Sequence, residues 1–149
     1  MFFAIDIGHN TPPFDTGARN NQYSEDTLTK LVGELVISKL NKRGYKAVSV
    51  TPKSAHSTDD SLMQRAKKAN QIDADYFVAI HFNSFSSPRA NGTEVYVYNN
   101  RSTARPLAQS VVSNITALGF LNRGVKQARF RVLELTKMPA ILIECCFIS

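Results

Sequence analysis

Few residues in this chain can do acid–base or metal chemistry, and they lie far apart in sequence. There are three histidines, His9, His56 and His81. His9 follows a short β-prone run, Phe2 to Ile7, and His81 lies near the end of another, Tyr76 to Phe82. His56 sits in a polar Ser/Thr/Asp stretch and is expected to be a solvated loop residue. One histidine at a sheet edge is explained well enough by ordinary hydrogen bonding. Two at comparable strand ends point to a shared metal, because neutral imidazole is a common zinc ligand. A catalytic zinc typically takes three protein ligands, and His2Glu is one such set, so a carboxylate near a helix start should complete it. Glu25 stands in the first turn of the helix expected from Ser24. An acidic residue there also stabilises a helix dipole with no metal at all, and spacing by itself favours that plainer role.

Glu144 is the sharpest anomaly. It interrupts Ala140-Ile-Leu-Ile-Glu-Cys-Cys-Phe-Ile148, a run that otherwise demands burial. A buried carboxylate is costly unless it is paired or bound to a cation. Two readings stand level: an ion pair with a basic residue such as Arg65, or a general base beside a metal. Strand alternation puts Cys146 on the face of Glu144 and Cys145 on the other. Both cysteines are expected to be small buried hydrophobes rather than ligands. Asp59-Asp60 and Arg65-Ala-Lys-Lys68 read as solvated helix surface. There is no phosphate-cradling glycine loop, no HExxH, no CxxC and no nucleophile-elbow signature.

The elements that must position these residues follow from periodicity. Phe2 to Ile7 reads as a buried strand and Asn10 to Tyr23 as loop. Leu28, Leu31, Val32, Leu35, Val36 and Leu40 form a helical stripe, with Ser24 as N-cap and Gly44 as the stop. Tyr45 to Thr51 alternates as a strand, and Leu62 to Ile72 is a helix with a basic face from Arg65, Lys67 and Lys68. Strands follow over Tyr76 to Phe82 and, after the turn Asn91-Gly92, over Thr93 to Tyr98. Arg105 to Leu118 is a third helix, and Phe130 to Leu135 and Ala140 to Ile148 read as closing strands. The alternation predicts a single α/β domain over 1–149, with a largely parallel, mixed twisted sheet flanked by helices on both faces. Sites in such sheets form beyond the carboxyl ends of the strands, where His9, His81 and Glu144 can converge.

Composition narrows the function classes. The chain has 149 residues, 43% apolar and 20% charged, which excludes a disordered protein. No apolar run approaches the roughly 18 residues of a membrane-spanning helix. The start, Met1 to Asn10, lacks the basic n-region of a secretory signal, so synthesis without a leader is expected. Adjacent Cys145 and Cys146 cannot pair without strain and fit a reducing compartment. The formal charge of +6 suits an anionic partner or merely keeps the domain soluble.

Several segments together resemble the zinc-dependent N-acetylmuramoyl-L-alanine amidases of the amidase-3 type. They are Ala4-Ile-Asp-Ile-Gly-His-Asn10, Asp15-Thr-Gly-Ala18, Glu25 before an amphipathic helix, Leu62-Met-Gln-Arg65 with Ala69-Asn70, and Ala74 to Ser84. Gly92 to Val97, Leu107-Ala108, Arg123-Gly-Val-Lys126, Val132-Leu133, Met138 to Glu144 and Phe147-Ile-Ser149 complete the ordered set. The resemblance implies that His9, Glu25 and His81 bind Zn²⁺ and that Glu144 is the catalytic acid/base. It implies cleavage of the amide between N-acetylmuramic acid and L-alanine in peptidoglycan. Asn83 and Ser84, beside His81, become candidates for substrate contact or for support of the ligands. Arg65 and Asn70 are assigned to fixing the second helix against the sheet.

The sequence departs from the family in three ways. Asn10-Thr-Pro-Pro-Phe-Asp15 replaces the glycine-rich stretch usual after the first histidine. Family members continue past the Phe-Ile-Ser segment into a further helix, so a chain cut short of it, with one flank of the sheet uncovered, is expected. Endolysins often carry a separate wall-binding domain, and none is expected within these residues. The resulting expectation is a phage endolysin catalytic domain, made in the host cytoplasm and acting at the bacterial cell wall. It is expected to be monomeric, with peptidoglycan as substrate, anionic wall polymers as further partners, no nucleic acid and no membrane insertion. The competing class is a non-catalytic wall-binding module of the same fold. A basic metal-dependent nuclease is more remote, since no acidic cluster stands at the strand ends.

Overall fold

The structure is a computed structural model and describes residues 1–87 and 89–148. The chain runs β1 (Phe2–Ile7), α1 (Glu25–Lys42), β2 (Lys46–Ser49), α2 (Thr58–Gln71), β3 (Tyr76–Asn83), β4 (Thr93–Val97), α3 (Arg105–Thr116), β5 (Asn122–Gln127), α4 (Arg131–Leu135) and β6 (Ala140–Phe147). One six-stranded sheet has the order β2-β1-β3-β6-β4-β5. Its pairs are parallel except β4 against β6, so β4 and β5 run opposite to the other four strands. This is the mixed, largely parallel α/β sheet that the alternation predicts.

The central strands are apolar on both faces because helices cover both. Ile5, Ile80, Ile141 and Ile143 pack under α1 and α3. Ala4, Phe77, Ala79 and Leu142 face the other way, toward Ala69 of α2 and Val132 and Leu133 of α4. α1 begins at Glu25 after the N-cap Ser24, whose hydroxyl meets Thr27 rather than a backbone N–H. It stops where Gly44 takes a positive φ of 82°, as its glycine signal predicts. Among the described residues no helix is long and apolar enough to cross a membrane.

Three expectations are corrected. Phe130 to Leu135 is not a strand: Phe130 caps the five-residue helix α4, which buries the adjacent pair Val132 and Leu133. One and a half turns are too short to display a helical period. The sixth strand is instead β5, Asn122–Gln127, a half-exposed edge of polar residues whose sequence carries no apolar alternation. The cysteines also break the two-residue rule. Between His81 and Asn83 the register of β3 to β6 advances from Glu144 to Phe147, a bulge of one extra residue. Both Cys145 and Cys146 consequently line an apolar groove of about 500 Å³ between α1 and α3. Both are free thiols, and burial pushes the Cys145 thiol up to about 12.

Candidate metal centre

β1 ends at Ile7 and the chain turns sharply. Gly8 lies so close to β3 that a Cβ there would sit 2.5 Å from the Ile80 carbonyl and 2.6 Å from the His81 ring. His9 and Asn10 then adopt left-handed backbone, with φ of 60° and 63°. This conformation is held by the surroundings. Asn10 Nδ2 donates to the carbonyls of Gly8 and Asp26, each at 2.9 Å, and Thr29 Oγ1 of α1 donates to the Gly8 carbonyl at 2.8 Å. Gly17, at φ +72°, passes over the site; a Cβ would meet His9 Cδ2 at 2.7 Å and Glu25 Oε2 at 2.9 Å. The loop can therefore close on these side chains only because residue 17 is glycine.

The turn, the start of α1 and the end of β3 bring His9, Glu25 and His81 together. Glu25 Oε1 lies 3.1 Å from His9 Nε2 and 3.2 Å from His81 Nδ1. One ligand atom from each residue falls within a group whose members are all within 4.8 Å of one another, close enough to hold a metal ion. Glu25 is buried and also accepts the backbone N–H groups of Phe82, at 3.1 Å on Oε1, and Ala18, at 3.0 Å on Oε2. Burial favours its neutral form, but His81, His9 and the Ala18 amide outweigh this and hold the carboxyl well below the usual carboxylate range. His9 behaves in the complementary sense. Burial lowers it, yet Asp15 and Glu25 bring it up to about 9. A cluster that raises a histidine and depresses its carboxylates is one that retains positive charge, whether a proton or a cation.

Asp15 is the member that sequence reasoning did not single out. Its Oδ1 lies 2.6 Å from His9 Nδ1, which leaves Nε2 as the ring nitrogen facing Glu25. The other oxygen accepts from Ser61 Oγ at 2.9 Å and from Arg65 Nη2 at 3.1 Å. The only sequence signal was its place in the family segment Asp15-Thr-Gly-Ala18. Arg65 corrects the solvated-surface expectation: it is 1% exposed. Its guanidinium pairs with Asp6 and Asp15, and donates to the carbonyls of Ile7 and His9. It thus fixes α2 to the sheet, as assigned, but from inside. Asn70 departs from its assignment: it ties α2 to α4 rather than to the sheet, donating to the Leu135 carbonyl at 2.9 Å and accepting the Lys137 backbone N–H at 3.0 Å. His56 is exposed in its loop.

Glu144 is the cross-strand partner of His81 on β3 and of Glu94 on β4. It is not paired with Arg65; its Oε2 is buried with no hydrogen-bond partner among the described residues. Burial, with Glu25 and Glu94 nearby, pushes its carboxyl up to about 8. Beyond it Glu94 is buried and fully engaged. Asn83 Nδ2 (3.0 Å) and the Tyr96 hydroxyl (2.7 Å) donate to Oε1, and Arg123 (2.7 Å) and Lys126 (2.5 Å) to Oε2. Asn83 is therefore turned toward Glu94, and its Oδ1 accepts the backbone N–H of the exposed Ser84.

Comparison with known proteins shows the family and the fold. The profile of the Amidase_3 family, described as N-acetylmuramoyl-L-alanine amidase, matches residues 3–149. The chain is 36% identical over 148 residues to the N-acetylmuramoyl-L-alanine amidase LytC of Bacillus subtilis, covering 97% of this chain and 29% of that protein. It is 34% identical to the endolysin of Bacillus phage SPP1, over 97% of this chain and 54% of the endolysin. It thus spans about half or less of these two relatives. Among solved structures, the amidase AmiC2 of Nostoc punctiforme superposes with a TM-score of 0.87 at 32% identity, covering 100% of this chain and 81% of that one.

Proposed function

The chain belongs to the Amidase_3 family of N-acetylmuramoyl-L-alanine amidases, and from that premise we propose that residues 1–149 form a zinc-dependent catalytic domain that cleaves the amide between N-acetylmuramic acid and L-alanine in peptidoglycan. The observation that carries the reading is the convergence of His9, Glu25 and His81 beside a buried carboxyl, Glu144, with an unpartnered oxygen. Two imidazoles and a carboxylate are a donor set that suits zinc. When bound, the ion would polarise the scissile carbonyl and lower the pKa of a water toward about 7.

The residues of the chain supply the rest. Asp15 holds the His9 ring so that Nε2 faces the ligand group. Glu25 enters already ionised, fixed by two backbone amides. A cation held by His9, Glu25 and His81 would offset the burial and the neighbouring carboxylates that raise Glu144. The ionised carboxylate would then take a proton from the attacking water at Oε2 and return it to the departing alanine nitrogen. Asn83 and Ser84, two and three residues beyond His81, are proposed as substrate contacts. The site of action is the bacterial cell wall, and the likeness to the phage SPP1 endolysin supports a role in lysis.

The test is product analysis. Peptidoglycan treated with the purified chain should gain new L-alanine amino termini without new reducing sugar ends. Wall binding with neither product would favour the non-catalytic alternative.

A further inference from the structure

Glu94, Arg123 and Lys126 form a cluster that the proposed chemistry does not use. Both cations converge on one oxygen, Glu94 Oε2, while Arg123 and Lys126 remain 36% and 39% exposed. Lys126 shares the neutralisation of Glu94, and among the described residues no carboxylate engages the outer N–H groups of the Arg123 guanidinium. That guanidinium lies 5.1 Å from the centre of the Phe147 ring. Both side chains line a pocket of about 280 Å³, completed by Phe85, Ser87, Arg89 and Ala90. Arg89 adds a third cation to a locality whose carboxylates are Glu94 and, on the neighbouring strand, Glu144. An aromatic floor with fork-like donors and a surplus of positive charge suits a planar anion.

The order of the strands says which anion reaches it. The metal-ligand group lies toward β1 and β3, Glu144 stands on β6, and Glu94 and Arg123 follow on β4 and β5. A residue that protonates the departing nitrogen must face that nitrogen, so the leaving peptide lies on the Glu144 side of the carbonyl. It then extends over β4 and β5. Two strand spacings are about 10 Å, and an extended peptide advances about 3.5 Å per residue. The second and third residues of the stem fall within reach of Arg123.

We propose that Arg123, with Arg89 beside it and Phe147 beneath it, forms a subsite for a stem-peptide carboxylate, that of the second residue, a γ-linked glutamate with a free α-carboxyl. This rests on the amidase reading and adds a specificity determinant to it: a stem carrying a carboxamide at that position loses the contact. Lys126 and Glu94 act as positioning residues that hold the guanidinium over the ring.

The test is binding of two peptides by calorimetry, L-alanyl-γ-D-glutamyl-L-lysine and the same peptide with an α-carboxamide on the glutamyl residue. The intact chain should bind the carboxylate form about tenfold more tightly, as a charge-assisted contact at a half-exposed site implies. In Arg123→Gln the two should bind within about twofold of each other, and Arg89→Gln, on an exposed loop, should narrow the gap in part. Equal binding by the intact chain, or the full preference retained in either folded variant, overturns the subsite. An anionic wall polymer as the true ligand would appear as equal peptide binding. Failure of the amidase reading is a separate result, absence of new L-alanine termini from peptidoglycan, and does not depend on this binding measurement.

Discussion

Asp15 Oδ1 lies 2.6 Å from Nδ1 of His9, while its second oxygen is held by Ser61 and Arg65. The pair settles which imidazole nitrogen is free: with Nδ1 engaged, Nε2 is turned toward Glu25 at 3.1 Å. The strained backbone of His9 and the exclusion of any side chain at Gly17 serve the same placement.

Asp15→Asn should therefore weaken zinc binding without removing it. Loss of such a support typically costs about 10- to 100-fold in metal affinity, measurable by competition with a chromogenic chelator. Affinity equal to that of the parent chain would remove Asp15 from the ligand assembly.

Arg65, as deeply buried as its partner Asp6, closes the same network. Arg65→Ala leaves Asp6 and Asp15 buried without their cation, which typically costs about 3–5 kcal/mol. Urea unfolding of the two proteins measures it. A change below about 1 kcal/mol would mean that the network is dispensable to the fold.

Glu144 and His81 are cross-strand partners with different assignments. Glu144→Gln should keep one zinc per chain and lose about 10²- to 10⁴-fold in hydrolysis. His81→Ala should lose both metal and activity. Elemental analysis alongside turnover separates them, and an active Glu144→Gln enzyme would remove the proton-transfer role.

Glu94 predicts an acid limb of stability. Burial raises its carboxyl, but Lys126, Tyr96 and Arg123 outweigh this and lower it to about 2. A folded pKa below the unfolded value of about 4.3 gives stability that is fully present above that pH. It is lost as pH falls from there toward about 2. Solvent screening at the two half-exposed cations limits the contribution to about 1–2 kcal/mol. Glu94→Gln should flatten that part of the pH–stability curve, and an unchanged slope would place the acid transition elsewhere.

Much of this architecture is legible in the sequence because burial writes itself as pattern. β1, β3 and β6 are covered on both faces, so their apolar runs announce them, and His9, His81 and Glu144 can be read as convergent from their strand ends. Glu25 cannot be told from a helix-dipole residue by spacing, since both roles want an acid in the same turn. Arg65 was misread because it follows the Lys67–Lys68 helix in composition, while its partners Asp6 and Asp15 are 59 and 50 residues away. β5 is invisible to periodicity because an edge strand needs no buried face. The bulge after Glu144 follows from register against β3, which no local pattern encodes, and it turns Cys146 to the side of Cys145.

The most direct test of the central claim is zinc content of the purified chain, read together with release of L-alanine termini before chelation, after chelation and after zinc is restored. The account predicts about one zinc per chain, with amide hydrolysis lost on removal and regained on return. Hydrolysis that persists in fully metal-free protein would contradict it and return His9, Glu25 and His81 to a structural hydrogen-bonded cluster.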